Sequence, residues 1–234
     1  MIVLLALVLS FIAGGEVAVT PVDPSAYPYV VKVDFLGIPE YITEPALMVS
    51  ARYILASKTA DTEPAALKIT DQAGKVRSVF KVTPILDGVF TYTYLKVCDK
   101  FNGRTYPMTA SSYNDLSSDV PNSEMLFYYN NSHVLQKVPA TVMSTANCTI
   151  SSGGSINETG ICVYQDTTPG FCSFLSNSSD IMRWPLLSIN GQPQGFLEYY
   201  GCDATMTVTD DFDFNNIGYY RSDIIDVIPL VTIK

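Results

Sequence analysis

One histidine, one tryptophan and five cysteines are all that 234 residues supply of these types. A single imidazole, His133, leaves too little for a histidine-built zinc site, and five cysteines suit disulfides better than metal ligation. Basic side chains are scarce as well: 14 Lys and Arg stand against 23 Asp and Glu, a formal charge of −9. That balance argues against nucleic acid and against anionic lipid surfaces as partners, and it suits solubility or a basic protein partner. No glycine-rich loop of the phosphate-cradling kind is present, no internal repeat recurs at a fixed period, and no cofactor is implied. Beyond residue 15 no stretch is long and apolar enough to span a bilayer.

What is present begins with an apolar leader. Residues 1–15, MIVLLALVLSFIAGG, hold no charged side chain, are too short to cross a membrane and end in small residues. They predict a cleaved secretory signal, a mature start at Glu16 and a secreted, extracellular protein. In that setting five cysteines predict two disulfides and one odd thiol. Four Asn-x-Ser/Thr sequons, at Asn130, Asn147, Asn157 and Asn177, are candidate glycosylation sites that fit the same route. The remaining chain of about 220 residues can bury roughly 70% of its unfolded surface, enough for one sizeable domain or two fused small ones.

Short strands dominate the pattern. Residues 29–35 (YVVKVDF), 78–82 (SVFKV) and 90–97 (FTYTYLKV) are rich in β-branched and aromatic side chains, the last in almost strict alternation. Pro, Gly, Asn and Asp punctuate them at short intervals, which predicts an all-β barrel or sandwich. Residues 99–122 are polar and turn-rich and are expected to link two halves. The stretch 222–234 opens on Ser-Asp and carries Ile224, Ile225 and Ile228; it predicts a terminal helix that Pro229 limits to one or two turns.

Residues 162–202 gather three cysteines, a Pro185-Leu186-Leu187 strand start, an Asn190-Gly191 turn and a second strand ending at Cys202. This frame resembles the nucleophile region of trypsin-like serine proteases, with Ile181-Met182-Arg183-Trp184 standing where that family carries Asp-Ser-Gly-Gly. Three further segments extend the likeness over nearly the whole mature chain. Residues 47–60 (LMVSARYILASKTA) are similar to the family's general-base segment, which puts Thr59 at the histidine and Ala60 at the cysteine after it. That cysteine's partner falls near Glu44, so both ends of one bridge are missing together. Residues 91–97 (TYTYLKV) are similar to the segment that carries the orienting aspartate, with Thr91 in its place. The third, residues 135–144 up to Cys148 with Ile161-Cys162 after it, is similar to the family's strand leading to its own cysteine and the cysteine segment that follows.

The resemblance implies two packed six-stranded antiparallel β-barrels of the chymotrypsin type with a short C-terminal helix. Barrel one would span about 26–110, barrel two about 111–221 and the helix about 222–234, all in one protease-homologue domain over 16–234. It implies bridges Cys148–Cys162 and Cys172–Cys202, with a third family bridge missing at both ends, one of them Ser188. Cys98 has no family counterpart and is either a buried inert thiol or half of an intermolecular bond.

It also implies a degenerate site. Acyl transfer needs a hydroxyl activated by a base, and that base held by a carboxylate. Thr59 cannot accept a proton near neutral pH, and Thr91 cannot stabilise an imidazolium. Counting forward from Cys172 puts the nucleophile position at Ser176; counting back from Pro185 puts it at Met182. Without the Gly-Asp-Ser-Gly-Gly run the oxyanion donors are in doubt as well. The specificity pocket would have Gly170 at its floor and Glu198-Tyr199-Tyr200 as its wall, so Tyr200 should obstruct an incoming side chain. His133 lies in a turn-like segment beside a sequon, as a surface histidine would. Ile12-Ala13-Gly14-Gly15 matches an activated protease N-terminus only by coincidence or as a relic, and Asp210-Asp211-Phe212-Asp213 lacks the spacing of a calcium loop. The expectation is a secreted non-catalytic homologue that binds a protein, as regulator, cofactor or decoy, with no metal. The alternatives are a serine-type endopeptidase with a non-standard site and a structural secreted glycoprotein.

Overall fold

A computed structural model of the chain describes residues 19–36, 42–57, 62–87, 90–106, 116–128, 134–151, 160–165, 185–201 and 210–216. Strands carry the architecture. The first, β1 (Thr20–Pro21), is only a bridge, and β2 (Val30–Phe35) follows it. Then come β3 (Ile42–Met48), β4 (Tyr53–Ala56), β5 (Leu67–Thr70), β6 (Val76–Asp87) and β7 (Phe90–Val97). Strands β2 to β7 close a six-stranded antiparallel barrel in the order β2-β3-β4-β7-β6-β5.

The second half contains β8 (Val120–Tyr128), β9 (Leu135–Val142), the helix α1 (Thr145–Ser151) and β10 (Gly160–Gln165). It ends with β11 (Leu186–Ile189), β12 (Gln192–Gly201) and β13 (Asp210–Asn216). The sheet runs β1-β9-β10-β13-β12-β11-β8, and an extra β8–β9 pairing joins the ends, so six of its seven strands form a ring. This is the chymotrypsin-type double barrel. A closed ring leaves no open strand edge, which is how a chain so rich in β-formers avoids edge-to-edge pairing with its neighbours.

Alternation within the strands assigns the cores. In β3 and β4, Ala46, Met48, Ile54 and Ala56 turn into barrel one, joining Val31, Val33 and Leu95. Leu47 and Leu55 turn the opposite way, toward the second barrel, where Leu126, Leu186 and Phe196 meet them. A third cluster, built on Met125, Phe127, Val138, Val163 and Leu187, fills barrel two. Strands buried on both faces therefore read as nearly unbroken apolar runs. Each fully buried leucine or phenylalanine contributes about 1.5–3 kcal/mol through water exclusion.

Local chemistry fixes the turns. Asn190 and Gly191 have φ of 52° and 76°, and Ile189 pairs with Gln192, so the β11–β12 hairpin closes through a two-residue turn. Positive φ at both central positions is the geometry whose twist suits a hairpin, and an Asn-Gly pair adopts it at the least steric cost. Ahead of barrel one in sequence, β1 pairs with β9, so Thr20 and Pro21 lie on barrel two. The polar linker ends where β8 begins, at Val120. The terminal segment 222–234, expected as a helix, lies outside the described residues. Among the described residues no helix is long and apolar enough to cross a membrane.

Candidate functional site

The seam between the barrels is where the fold would hold a site. Strand β4 pairs with β7 with Ala56 opposite Thr93 and Leu55 opposite Tyr94, so the end of β4 and the start of β7 meet at one rim of barrel one. Ser57, the last residue described after β4, is buried there. Thr91 lies on β7, two positions before Thr93, opposite Leu86 of β6. Its neighbour Tyr92 crosses the seam: its ring centroid stands 6.0 Å from that of Phe196 on β12, at 65°. Edge-to-face pairs of this kind contribute about 0.5–1.5 kcal/mol beyond area burial.

Two residues beyond Phe196, β12 carries Glu198. The register between β12 and β13 shifts between Leu197 and Tyr199, which leaves Glu198 as the extra residue of a β-bulge. Tyr199 then pairs with Asp213, and Tyr200 with Phe212. Thr91 and the Glu198-Tyr199-Tyr200 segment are thus held on strands that face each other across one seam. Thr59, Gly170, Ser176, Met182 and His133 lie outside the described residues, as do Cys172, Cys202, Asn130, Asn157 and Asn177.

Tyrosine hydroxyls tie the seam together. Tyr106 donates to the Pro193 carbonyl at 2.5 Å, and Tyr29 donates to the Gly191 carbonyl at 3.3 Å. Their two rings pack against each other with centroids 5.3 Å apart. Gln72 donates both to the Val30 carbonyl at 3.0 Å and to the Tyr128 hydroxyl at 3.2 Å, so one amide reaches from barrel one to barrel two. Tyr27 donates to Glu124 at 2.9 Å and, its single proton spent, accepts from the Ser188 hydroxyl at 2.8 Å. Lys137 closes the far side of Glu124 as an ion pair. Burial holds the phenols of Tyr27, Tyr94 and Tyr128 well above the ordinary tyrosine range, so all three keep their protons at physiological pH.

Two positions assigned to missing bridges have other occupants. Ser188 pairs in register with Glu124 across β8 and β11, and the Tyr27 hydroxyl sits between them. Glu44 is buried on β3 opposite Val33, whose side chain belongs to the core of barrel one. A disulfide joins Cys148 of α1 to Cys162 of β10, with Cα atoms 5.7 Å apart. Cys98 is exposed and unbonded, not buried. Asn147 is exposed on α1, and its side-chain amide donates to both Asp119 carboxylate oxygens, at 3.0 and 3.2 Å. Among the described residues no three His, Cys, Asp or Glu side chains are grouped to hold a metal ion.

Helix α1 and the β1 bridge were not legible beforehand. A Thr-Ala-Asn-Cys-Thr-Ile-Ser run has little helical propensity, and it is its ties to Asp119 and Cys162 that hold it in place.

No protein-family model matches the sequence, and no curated protein matches it by sequence comparison. Solved structures match by fold. The scabies mite inactivated protease paralogue S-I1 aligns over 89% of this chain and 98% of its own, with a TM-score of 0.65 at 16% identity. The scabies mite inactivated protease paralogue S-D1 aligns over 92% and 96% respectively, with a TM-score of 0.64 at 16% identity. Kallikrein-related peptidase 10, in a complex with Zn2+, aligns over 90% of this chain and 99% of its own, with a TM-score of 0.61 at 16% identity. The likeness is one of fold: a double barrel of the kind that a kallikrein-related peptidase and inactivated protease paralogues share.

Proposed function

We propose that this chain is a secreted, non-catalytic homologue of the trypsin-like serine proteases that binds another protein, as a regulator, cofactor or decoy outside the cell. One observation carries the reading. The double barrel is retained, yet the chain's single histidine, His133, comes between the β8 and β9 segments in sequence, and the resemblance puts Thr59 at the base and Thr91, on β7, at the orienting acid. A threonine hydroxyl neither takes a proton from a nucleophile near neutral pH nor steadies the cation that results. The fold shared with the inactivated mite paralogues supports the same reading.

In it the cleft is a binding surface formed by Gly170, Glu198, Tyr199 and Tyr200, with Tyr200 blocking the pocket to a substrate side chain. A glycan on Asn177 covers the mouth. Secretion makes the remaining sequons, Asn130, Asn147 and Asn157, open to glycosylation, and the resemblance implies the Cys172–Cys202 bridge.

A serine-reactive fluorophosphonate and a panel of peptide esters test the proposal. No labelling and no turnover are expected. Labelling at Ser176 that is lost in Ser176→Ala and slowed in His133→Ala would make the protein an endopeptidase and overturn it. A Tyr199→Ala/Tyr200→Gly double variant should lose a cleft partner while keeping its fold. Peptide mapping that finds Asn177 bare in secreted protein would remove the glycan cover alone.

A further inference from the structure

The outward face of barrel one carries a grouping that the cleft has no use for. Burial alternates along the start of β6: Arg77 and Val79 turn inward, while Val76, Ser78 and Phe80 turn out to solvent. Val76 is 51% exposed and Phe80 64% exposed. A large apolar side chain standing this far out, with a second on the same strand face, is the beginning of a contact patch.

The bulge in β6 adds charge to it. The register shifts between Val79 and Lys81, so Phe80 is the extra residue and Lys81 falls directly opposite Lys96 of β7. Two ammonium groups facing each other across a pair of strands destabilise the sheet. On its other side Lys96 is paired with Tyr53 of β4, which offers a ring and no carboxylate. The Lys96 ammonium stands 5.7 Å from the Tyr53 ring centroid and 5.9 Å from that of Phe80. The ion pairs among the described residues are Lys32–Asp34 and Lys137–Glu124, so neither Lys81 nor Lys96 has a counter-charge there. In a chain with 23 acidic and 14 basic residues, two facing lysines left without an acid run against the general balance.

We propose that this face docks an acidic segment of another polypeptide, its carboxylates on Lys81 and Lys96 and an apolar side chain on Phe80 and Val76. Charge complementarity selects the sign of the partner, and the exposed ring selects a polypeptide over a polyanion. A polyanionic chain gains affinity by counting many cations along its length, and this face offers only the short group Lys81, Lys96 and Lys68, the last opposite Ser78, on a net negative molecule. A second copy fits less well. Twofold pairing on this patch would bring the lysine pairs of both copies together, and the closed barrel offers no strand edge to extend.

The test uses the full chain and a synthetic peptide of alternating Glu and Leu with a central Phe. A fluorophore on Cys98, whose amide donates to the Ser78 carbonyl at 3.1 Å, places a reporter beside the patch. Saturable binding is expected that weakens as salt rises from about 50 to about 500 mM. Affinity should fall about tenfold in Lys81→Gln/Lys96→Gln and by a similar factor in Phe80→Ser, one lost contact energy each. The Lys-for-Glu version of the peptide should not bind. No saturable binding, equal binding of both peptides, or undiminished affinity in the two variants overturns the proposal. So does tighter binding of a heparin fragment than of the peptide, or sedimentation showing self-association that Phe80→Ser abolishes.

Discussion

Tyr27 and Ser188, 161 residues apart in sequence, meet hydroxyl to hydroxyl at 2.8 Å in the buried space between the turn before β2 and barrel two. The resemblance gives the position of Ser188 to a half-cystine, and here a hydrogen-bonded relay runs from Ser188 through Tyr27 to Glu124 and Lys137. The covalent tie that the resemblance implies has its counterpart in a polar one that exists only when four separate segments have assembled.

Tyr27→Phe should therefore destabilise the protein by about 1–3 kcal/mol, because it strands a buried serine hydroxyl and removes a donor from a carboxylate. Ser188→Ala takes away the hydroxyl that donates to Tyr27 and leaves no donor orphaned, so its cost should be smaller, about 0.5–1.5 kcal/mol. Urea unfolding of both variants at neutral pH checks the order.

Stability should be level through neutral pH and fall in alkali. Burial raises the phenols of Tyr27, Tyr94 and Tyr128 above the value of about 10 that each regains on unfolding. Below about pH 10 both states keep the proton, and the stabilising difference is fully present. Above it the unfolded chain loses protons that the native state retains, so stability declines by up to about 1.4 kcal/mol per pH unit for each phenol. Denaturant midpoints followed from about pH 8 to about pH 11 should show the fall, and Tyr128→Phe should make it shallower. A midpoint that rises across that range would contradict the burial of these rings.

The Cys148–Cys162 disulfide closes a sequence separation of 14, which by loop entropy corresponds to about 3 kcal/mol. Cys148→Ala with Cys162→Ala should lower the unfolding free energy by that order and loosen α1 first. Amide exchange that speeds up across residues 145–151 before it does in the barrels is the expected pattern.

Asp119 accepts from the Ser144 amide at 2.7 Å and from the Asn147 side chain, and so anchors the end of the linker to the start of α1. Hydrogen bonding holds its carboxyl below the usual carboxylate range. Asp119→Ala should cost about 1–2 kcal/mol, in the manner of a lost helix cap. Asn147→Asp should be at least as damaging, since it sets a second carboxylate against the first. Thermal melts of the two variants beside Asn147→Gln separate lost hydrogen bonding from added repulsion.

The double barrel was legible because its strands announce themselves locally. The β7 run FTYTYLKV alternates in a way only a strand can use, and Asn190-Gly191 needs no tertiary context to close a hairpin. The seam was hidden for the opposite reason. Tyr27, Tyr29, Tyr106 and Tyr128 look like ordinary strand and turn residues until their hydroxyls find partners tens to more than a hundred positions away. Helix α1 was hidden by its weak propensity. Of the candidate site, the strand addresses of Thr91, Glu198, Tyr199 and Tyr200 were legible from segment order, whereas the bulge at Glu198 depends on a register that only pairing with β13 sets.

The opening bridge of the chain has one more implication. Because Thr20 and Pro21 precede barrel one in sequence yet pair with β9 of barrel two, the halves are laced together and not strung like beads. A protease that nicked the connection between Tyr106 and Leu116 would release neither piece, and the cut molecule should still migrate as one particle until denaturant unlaces it.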